Sequence, residues 1–422
     1  MSLLALPLSA SLRGSLRPEK ELMNNKPAIL GNAPIFTTKV PIVRPVLPSF
    51  ADLASDVEEL LTTGMVTKGR HLLAFEEAVA AHLGVRHAVA VSSCTTGLML
   101  THKCLGLTGE VVIPSFTFMA TASALVWAGL KPVFADVDFH TTNLDPSAAE
   151  AAITPDTSAI VAVHNFGNPA DVDALESLAD RKGLKLIYDA AHGFGALYEG
   201  RPVGAQGDAQ VFSLSPTKLV IAGEGGIVAT NDDELAARVR IGREYGNSGR
   251  YDSAFPGINA RLPEFNALMG VHSLRKVETA ACRRNEIASL YRETLGVLSG
   301  IGFQQTIEGN RNSYKDVSVT VDAEAFGLGR DDLAQALESE NVDTRMYYDP
   351  PVHRQTAYTQ FASKGDPLHN TDLLASRSLS LPIWSEMTDE TVLEICRAVA
   401  RIHEFASDVV AVLDQSTTAS AV

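Results

Sequence analysis

From about residue 50 the chain alternates between two hydrophobic patterns. Apolar residues recur at helical spacing in 50–62 and in 71–83, which predicts two amphipathic helices. Short apolar runs such as AVAVSS (88–93) and EVVIPSFTF (110–118) are typical of buried strands. The alternation continues with strands predicted at 131–138, 158–167, 184–191, 209–215 and 225–232, and helices at 98–105, 120–129 and 171–183. This pattern predicts an α/β fold whose mostly parallel central sheet is flanked by helices.

The pattern changes after residue 261. A long helix-like segment at 263–295 is followed by a strand at 315–322 and by helices at 330–340 and 389–413, which predicts a smaller α/β domain. We therefore divide the chain into a flexible N-terminal extension (1–35), a large domain (36–275) and a small C-terminal domain that includes the connecting helix (276–422).

Composition and charge narrow the class of protein. A chain of 422 residues with 45% hydrophobic residues is long enough for a large buried core. Its formal net charge of −15 argues against a nucleic-acid-binding protein, because such a protein carries a basic face. The first residues contain a short apolar run, but it is broken by Pro7, lacks a positive start and is too short to span a bilayer. We expect a cytoplasmic protein that does not bind a membrane.

The four cysteines are scattered and form no CxxC pair or cluster with histidine. Neither a zinc site nor a disulfide framework is indicated, so we expect no metal and reduced thiols. The cysteines are Cys94, Cys104, Cys282 and Cys396.

Lys218 is the first candidate for chemistry. It follows a predicted strand that contains Val211, Phe212 and Leu214, and the three residues after it, 219–221, are apolar. Loss of water around a lysine ammonium lowers its pKa and produces the nucleophilic amine that Schiff-base chemistry requires. A solvated surface lysine is the alternative at this position.

Three further residues stand at the ends of predicted strands. Asp189 follows the apolar run 184–187, where a carboxylate suits a protonated pyridine nitrogen or serves as a helix N-cap. Thr95 and Thr96 open a predicted helix, where hydroxyls and backbone N–H groups bind phosphate or simply cap the helix. In parallel α/β sheets, ligands bind at the edge where the carboxyl ends of the strands lie.

These residues lie in segments that resemble, in order and spacing, the DegT/DnrJ/EryC1/StrS family of fold-type-I pyridoxal-phosphate (PLP) aminotransferases acting on nucleotide sugars. The resemblance covers roughly residues 40–405. It is carried by VSSCTTGL, VIPSFTFMATASA, KPVFADVD, VHNFGNPADVDAL, the stretch from Asp189 to Lys218, GEGGIVATND and PGINARLPEFNALMG.

The resemblance implies a role for each matching residue. Lys218 corresponds to the Schiff-base lysine and Asp189 to the partner of the pyridine nitrogen. His192 matches the residue beside the cofactor hydroxyl, and Phe118 the aromatic over the cofactor ring. Thr95, Thr96 and Ser213 match phosphate contacts. Asn259 matches the asparagine that reaches the cofactor phosphate of the other subunit, which implies a homodimer with shared sites.

Two features refine the comparison. The family's Asn/Ser-Gly-Thr phosphate turn reads Ser93-Cys94-Thr95 here, so Cys94 replaces the glycine. Related sugar 3-dehydratases carry histidine in place of the lysine, and this chain keeps Lys218. The resemblance therefore implies transamination, with L-glutamate as amino donor and with Lys218 as both nucleophile and proton carrier.

The segment DTRMYYDPPVHRQTAY (343–358) is rich in cations and aromatic residues. It suits a nucleotide diphosphate and base, or it is an ordinary surface turn. We take Arg345, Tyr347, Tyr348 and His353 as candidate substrate-binding residues. With GINARLPEFNA, the segment looks more like the sugar 4-aminotransferases of antibiotic deoxysugar pathways.

The substrate we favour is dTDP-4-keto-6-deoxy-D-glucose. The alternatives are a sugar 3-aminotransferase of the same family and a non-catalytic regulatory protein on the same fold. A Rossmann dehydrogenase is excluded, since no predicted strand is followed by GxGxxG and a helix.

Overall fold

The computed structural model describes residues 25–362 and 367–420. Within those residues seven strands form the central sheet, in the spatial order β1-β9-β8-β5-β4-β2-β3. Strands β2, β3, β4, β5 and β8 run parallel, and β9 pairs antiparallel with both β1 and β8. The mostly parallel sheet predicted from the sequence is confirmed. The strands are β1 (His87–Val91), β2 (Glu110–Pro114), β3 (Lys131–Ala135), β4 (Thr157–Val163), β5 (Lys185–Asp189), β8 (Ala209–Ser213) and β9 (Gly226–Thr230), and the short hairpin between β5 and β8 is β6 (Leu197–Tyr198) with β7 (Arg201–Pro202).

Helices cover both faces of this sheet. Successive residues of β4 belong to opposite clusters, with Ile160 and Ala162 on one side of the sheet and Ala159 and Val161 on the other. A strand buried on both faces reads as a continuous apolar run, which explains the pattern in the sequence. The helices of this region are α1 (Phe50–Thr63), α2 (Arg70–Leu83), α3 (Cys94–Cys104), α4 (Ala120–Trp127), α5 (Pro146–Ala151), α6 (Val172–Lys182), α7 (Asp233–Gly242) and α8 (Glu264–Leu274).

A second core lies in the C-terminal part of the chain. Among the residues described, three antiparallel strands in the order β10-β11-β12 form its sheet, and helices pack against that sheet. The strands are β10 (Ile301–Phe303), β11 (Val317–Val321) and β12 (Ser378–Leu381), and the helices are α9 (Val277–Leu295), α10 (Ala323–Phe326), α11 (Arg330–Ser339), α12 (His369–Arg377), α13 (Asp389–Glu404) and α14 (Ala406–Ser420).

Two long predicted helices are each interrupted. The segment 263–295 forms α8 and α9 with a break at Arg275 and Lys276, and 389–413 divides at Phe405. In both segments the apolar spacing continues across the break, because both halves pack against a core. Apolar periodicity alone therefore does not locate such a break.

Part of the predicted N-terminal extension is packed structure. The backbone N–H groups of Ala28 and Ile35 donate to the buried carboxylate of Glu340, which also binds Arg401. Ile29 and Ile35 pack against the second core. Residues 25–35 thus belong to the folded C-terminal part, and the rest of the predicted extension, 1–24, lies outside the described residues.

The arrangement of β2, β5 and β8 positions the candidate site. These parallel strands end at the same edge of the sheet, at Pro114, Asp189 and Ser213. No helix in the described residues is long and apolar enough to cross a membrane.

Candidate functional site

A cavity of about 360 Å³ opens at the carboxyl ends of these strands. It receives side chains from the large sheet and from the C-terminal part of the chain, and the latter include Lys315, Asp316, Tyr347 and Tyr348. The predicted residues that line it are Thr95, Phe118, Asp189, His192, Ser213, Lys218, Tyr347 and Tyr348. The structure therefore brings most of the predicted site residues into one cavity.

Lys218 enters the cavity from the turn that follows β8. Its backbone N–H donates to the carbonyl of Ser215 at 3.0 Å, and the next residues, Leu219 and Val220, are buried. Burial of the amine, aided by the positive charge of Lys315, lowers the pKa of Lys218 to about 8. The free amine that a nucleophilic lysine requires therefore forms at a much lower pH than in an ordinary lysine.

Asp189 ends β5 and is buried on the floor of the cavity. The Thr121 hydroxyl donates to its Oδ2 at 2.8 Å, and the Ala191 N–H donates to its Oδ1 at 3.1 Å. Burial raises the pKa of Asp189 above its ordinary value, although these hydrogen bonds and Lys218 act in the opposite direction. A cation placed beside this carboxylate would be strongly favoured.

His192 lies three residues beyond Asp189 and has a buried nitrogen. Within the described residues its Nδ1 atom has no hydrogen-bond partner. Burial lowers the pKa of His192 well below its ordinary value, and the charges of Lys218 and Lys315 lower it further. The ring is thus neutral and offers a free hydrogen-bonding atom to a ligand in the cavity.

A cluster of hydroxyl groups lies at another part of the cavity wall. Thr95 is in the first turn of helix α3, and Ser213 is the last residue of β8. Gly226 allows this helix end to approach the sheet, because a Cβ atom there would lie 2.6 Å from the backbone of Ser93. Hydroxyls together with the N–H groups of a helix N-terminus suit a phosphate.

Thr96 was predicted to contact the phosphate, but it is not among the residues that line the cavity. Its hydroxyl accepts from the Ser93 N–H at 3.1 Å and bonds to the Ser93 carbonyl at 2.9 Å, so it completes a capping box. The alternative interpretation, helix capping, describes what Thr96 does in this structure. Cys94 replaces the family's glycine without adopting a left-handed backbone.

Phe118 and Asn259 have different surroundings. Phe118 lines the cavity with its side chain half exposed, as an aromatic that covers a ligand would. Asn259 is exposed and does not line the cavity of its own chain. Its predicted contact with the cofactor of another subunit stays a prediction.

The candidate substrate segment is divided between two places. Tyr347 and Tyr348 line the cavity, whereas Arg345 is exposed and pairs with Asp343 at 2.6 Å. His353 faces a separate cavity and is held by the Ser115 hydroxyl at 2.7 Å. Arg345 and His353 therefore do not line the cavity that contains the tyrosines, and their contacts with the substrate stay predictions.

Sequence reasoning missed several residues of the cavity. Thr121 binds Asp189 from helix α4, and the Cys94 thiol lies 3.8 Å from the same carboxylate. Burial raises the pKa of Cys94 well above its ordinary value, and Asp189 raises it further, so the thiol stays protonated. Lys315 and Asp316 form an ion pair at the cavity wall. In the sequence these two residues appear only as a charged pair directly before a strand, and such a pair is equally typical of a surface turn.

These residues fit the cofactor that the resemblance implies. Lys218 offers an amine for an aldehyde, Asp189 a carboxylate for a pyridine nitrogen, and His192 an unpartnered nitrogen for a ring hydroxyl. Thr95 and Ser213 offer hydroxyls for a phosphate. Within the described residues no group of histidine, cysteine, aspartate or glutamate is arranged to hold a metal ion.

Comparisons with known proteins agree with this chemistry. The profile of the DegT/DnrJ/EryC1/StrS aminotransferase family matches residues 50–400. The spore coat polysaccharide biosynthesis protein SpsC of Bacillus subtilis (strain 168) is 35% identical over 363 residues, which cover 82% of this chain and 93% of SpsC.

Two crystal structures share the fold. That of DesI, determined in the presence of its TDP-sugar product, superposes with a TM-score of 0.84 at 39% identity, covering 91% of this chain and 97% of DesI. That of NtdA from Bacillus subtilis, with bound cofactor PMP, superposes with a TM-score of 0.79 at 27% identity, covering 87% of this chain and 86% of NtdA.

Proposed function

Because this chain belongs to the DegT/DnrJ/EryC1/StrS aminotransferase family and is a PLP-dependent sugar aminotransferase, we propose that it aminates dTDP-4-keto-6-deoxy-D-glucose with L-glutamate as donor. The observation that carries the choice of substrate class is the likeness to DesI, whose structure was determined with its TDP-sugar product. The placement of Tyr347 and Tyr348 in the same cavity as Lys218 supports it, since aromatic side chains suit a sugar or a base.

The proposed reaction exchanges an amine for a carbonyl oxygen in two halves. L-glutamate leaves its amino group on the enzyme and departs as 2-oxoglutarate, and the keto sugar then takes that amino group and departs as the amino sugar. The two halves balance without any oxidant or reductant. Bound PLP supplies the electron sink that makes the α-proton of the donor acidic.

Lys218 has two tasks in this proposal. Its Nζ atom would hold the cofactor, and as a free amine it would carry the proton to and from the reacting carbon. The lowered pKa supports both tasks, since a lysine with a pKa of about 8 accepts and returns a proton near neutral pH.

Asp189 and the hydroxyl cluster hold the cofactor in the proposed arrangement. Asp189, oriented by Thr121 and the Ala191 N–H, would pair with the pyridine nitrogen. Thr95 and Ser213 would bind the phosphate, His192 would meet the ring hydroxyl, and Phe118 would cover the ring. Thr96 contributes through the helix cap.

The proposal includes a homodimer with shared sites. Asn259 is exposed and lies away from its own cavity, as a residue that reaches a partner's cofactor must. Large apolar side chains such as Phe50, Leu61 and Met65 are also exposed and suit a subunit interface.

We place the reaction in the cytoplasm and in a deoxysugar pathway of antibiotic biosynthesis. The four cysteines, all within the described residues, are free thiols, which suits a reducing compartment. The relative SpsC is a spore coat polysaccharide biosynthesis protein.

A substrate panel tests the proposal. The purified enzyme, loaded with PLP, is incubated with L-glutamate and with 3-keto and 4-keto nucleotide sugars, and the products are identified by mass spectrometry and NMR. We expect amination at C4 of the dTDP sugar. Formation of a 3-amino product alone would establish the 3-aminotransferase alternative.

A matched pair of variants tests the role of the lysine. Borohydride should fix the cofactor on the peptide that contains Lys218, and Lys218→Ala should abolish both the labelling and the turnover. The control is Lys185→Ala, an exposed lysine paired with Asp208 at 2.7 Å, which should leave both unchanged. A wild-type protein that binds PLP without turnover would instead be the regulatory alternative.

A further inference from the structure

Lys315 and Asp316 form a buried ion pair for which the proposed mechanism has no substrate contact, and their charges shift the pKa of Lys218 in opposite directions. The ammonium of Lys315 donates to both carboxylate oxygens of Asp316, each at 2.9 Å. Both residues are buried, at 8% and 5% exposure, and both line the cavity that holds Lys218. A buried ion pair contributes little net stability, because the loss of hydration offsets its attraction. Its place on the cavity wall suggests a different task.

The position of the pair is fixed from both parts of the fold. The Lys315 N–H donates to the carbonyl of Phe166 in the large domain at 3.0 Å. Its carbonyl accepts from the buried guanidinium of Arg284 at 3.1 Å. The residue before it, Tyr314, has a left-handed backbone with φ of 47°, which turns the chain at this point. The pair therefore lies on a rigid part of the cavity wall.

The chemistry of the pair indicates what it binds. A lysine ammonium has three N–H donors, and an aspartate carboxylate has more lone pairs than the ammonium uses. Together they offer both a donor and an acceptor with no net charge. A hydroxyl group, which donates and accepts at once, matches such a pair, and Tyr347 beside the ammonium at 5.3 Å adds an aromatic surface.

The carboxylates of the amino donor are a poorer match. An α-carboxylate that approached Lys315 would meet the charge of Asp316, which lies within hydrogen-bonding distance of the same ammonium. Like charges in a buried site repel strongly. Among the described residues that line the cavity, the other side chains with acidic groups are Asp189, on its floor, and Glu224, which is exposed.

We propose that Lys315 and Asp316 together bind ring hydroxyl groups of the sugar, and so determine which hydroxylated keto sugars the enzyme accepts. This inference rests on the proposed function, since it requires that the second substrate is a nucleotide-linked keto sugar. The pair determines selectivity in the half-reaction with the sugar and does not affect the half-reaction with glutamate. A site built for hydroxyls rejects a sugar that lacks them, because its own polar groups are then unmatched.

The test separates the two half-reactions. In rapid mixing, the glutamate half is followed as loss of the visible absorbance of the bound cofactor, and the sugar half as its return. The main variant is K315M/D316L, which removes both charges with side chains of similar length and leaves no unpaired ion. We expect the sugar half to slow, or its half-saturation to rise, by about 10-fold or more, with the glutamate half within about 3-fold of wild type.

A binding measurement gives an independent readout. Calorimetry should show that the dissociation constant of the aminated dTDP sugar rises by about 10-fold or more in D316N. For an analogue without the ring hydroxyl groups, the wild type and D316N should bind equally. The control is Glu76→Gln, which breaks a buried ion pair with Arg243 away from the cavity and should leave both half-reactions unchanged.

The outcomes are distinct. An equal loss in both half-reactions would mean that the pair acts through Lys218, and a loss confined to glutamate would make Lys315 a site for the donor carboxylate; either result overturns the inference. If the wild type aminates a nucleotide sugar and the double variant does so equally well, the inference alone fails. If the wild type reacts with glutamate but with no nucleotide sugar, the proposed function fails and the inference fails with it.

Discussion

The hydroxyl of Thr121 donates a 2.8 Å hydrogen bond to Oδ2 of Asp189, so a residue of helix α4 orients the carboxylate at the end of strand β5. Thr121 is itself 3.0 Å from the Thr117 hydroxyl. All three residues are buried. The carboxylate at the floor of the cavity is therefore fixed before any ligand arrives.

We predict that Thr121→Val slows the enzyme. Valine keeps the shape of the side chain but removes the donor to Asp189, and a hydrogen bond to a charged group contributes about 1.5–3 kcal/mol. The rate of turnover should fall by about 10-fold or more, with a smaller change in the Michaelis constant of the sugar. Steady-state kinetics with a saturating donor would measure this.

The matched control is Thr101→Val. Thr101 is also buried on a helix, but its hydroxyl donates to the Gly97 carbonyl at 2.8 Å and it does not line the cavity. This variant should lose some stability and keep its turnover rate. If both variants slowed equally, orientation of Asp189 by Thr121 would not be the cause.

Much of the fold is predictable from hydrophobic period, because each element buries its own apolar residues. The run at 158–167 predicts strand Thr157–Val163, and the helical spacing at 71–83 predicts helix Arg70–Leu83 within a residue. Strand direction is not encoded in that period. The antiparallel course of β9 is therefore seen only in the structure.

The candidate site is predictable where strand ends carry unusual residues. Asp189 and Lys218 both follow apolar strands, and the structure places both in the cavity. Lys315 also precedes a strand, but its cavity lies between two parts of the chain that are distant in sequence. Contacts of this kind depend on how the second core packs against the large domain. The local pattern of apolar residues in the sequence does not reveal this packing.

The pH dependence of cofactor uptake should reveal the shifted pKa of Lys218. Burial and Lys315 lower this pKa from 10.5 to about 8, so the reactive amine of the apoenzyme should be half formed near pH 8. Between pH 8 and 10.5 the unfolded chain then binds more protons than the folded apoenzyme, whose stability should rise over that interval. Stopped-flow absorbance of PLP binding gives the midpoint.

Lys315→Met extends this measurement. Removal of the second positive charge should move the midpoint to higher pH, since Lys315 is the nearby charge that lowers the pKa of Lys218 most. Lys185→Met removes an exposed charge outside the cavity and should leave the midpoint near 8. A wild-type midpoint close to 10.5 would contradict the environment described for Lys218.

We predict that His353 contributes to the stability of the fold and not to binding of the sugar. Its ring and its backbone N–H both bind the Ser115 hydroxyl, at 2.7 and 2.9 Å. His353→Ala should reduce the free energy of unfolding by about 1–3 kcal/mol and leave the Michaelis constant of the sugar unchanged. Tyr347→Phe, in the cavity, should raise that constant instead. If His353→Ala raised the Michaelis constant of the sugar and kept normal stability, His353 would be a substrate-binding residue after all.

If the active sites are shared between subunits, two inactive variants should restore activity when they form a mixed dimer. If Asn259 of one subunit serves the site that contains Lys218 of the other, a mixed dimer of Lys218→Ala and Asn259→Ala chains has one site with both residues intact. Each variant alone should be inactive or strongly impaired. When the two chains are dissociated, mixed and reassembled, about a quarter of the wild-type activity should return. Half of the dimers are then mixed, and each mixed dimer has one working site. Recovery requires the two residues to come from different chains. Reassembly that yields mixed dimers, verified by mass spectrometry, without recovered activity would place Asn259 outside the shared site.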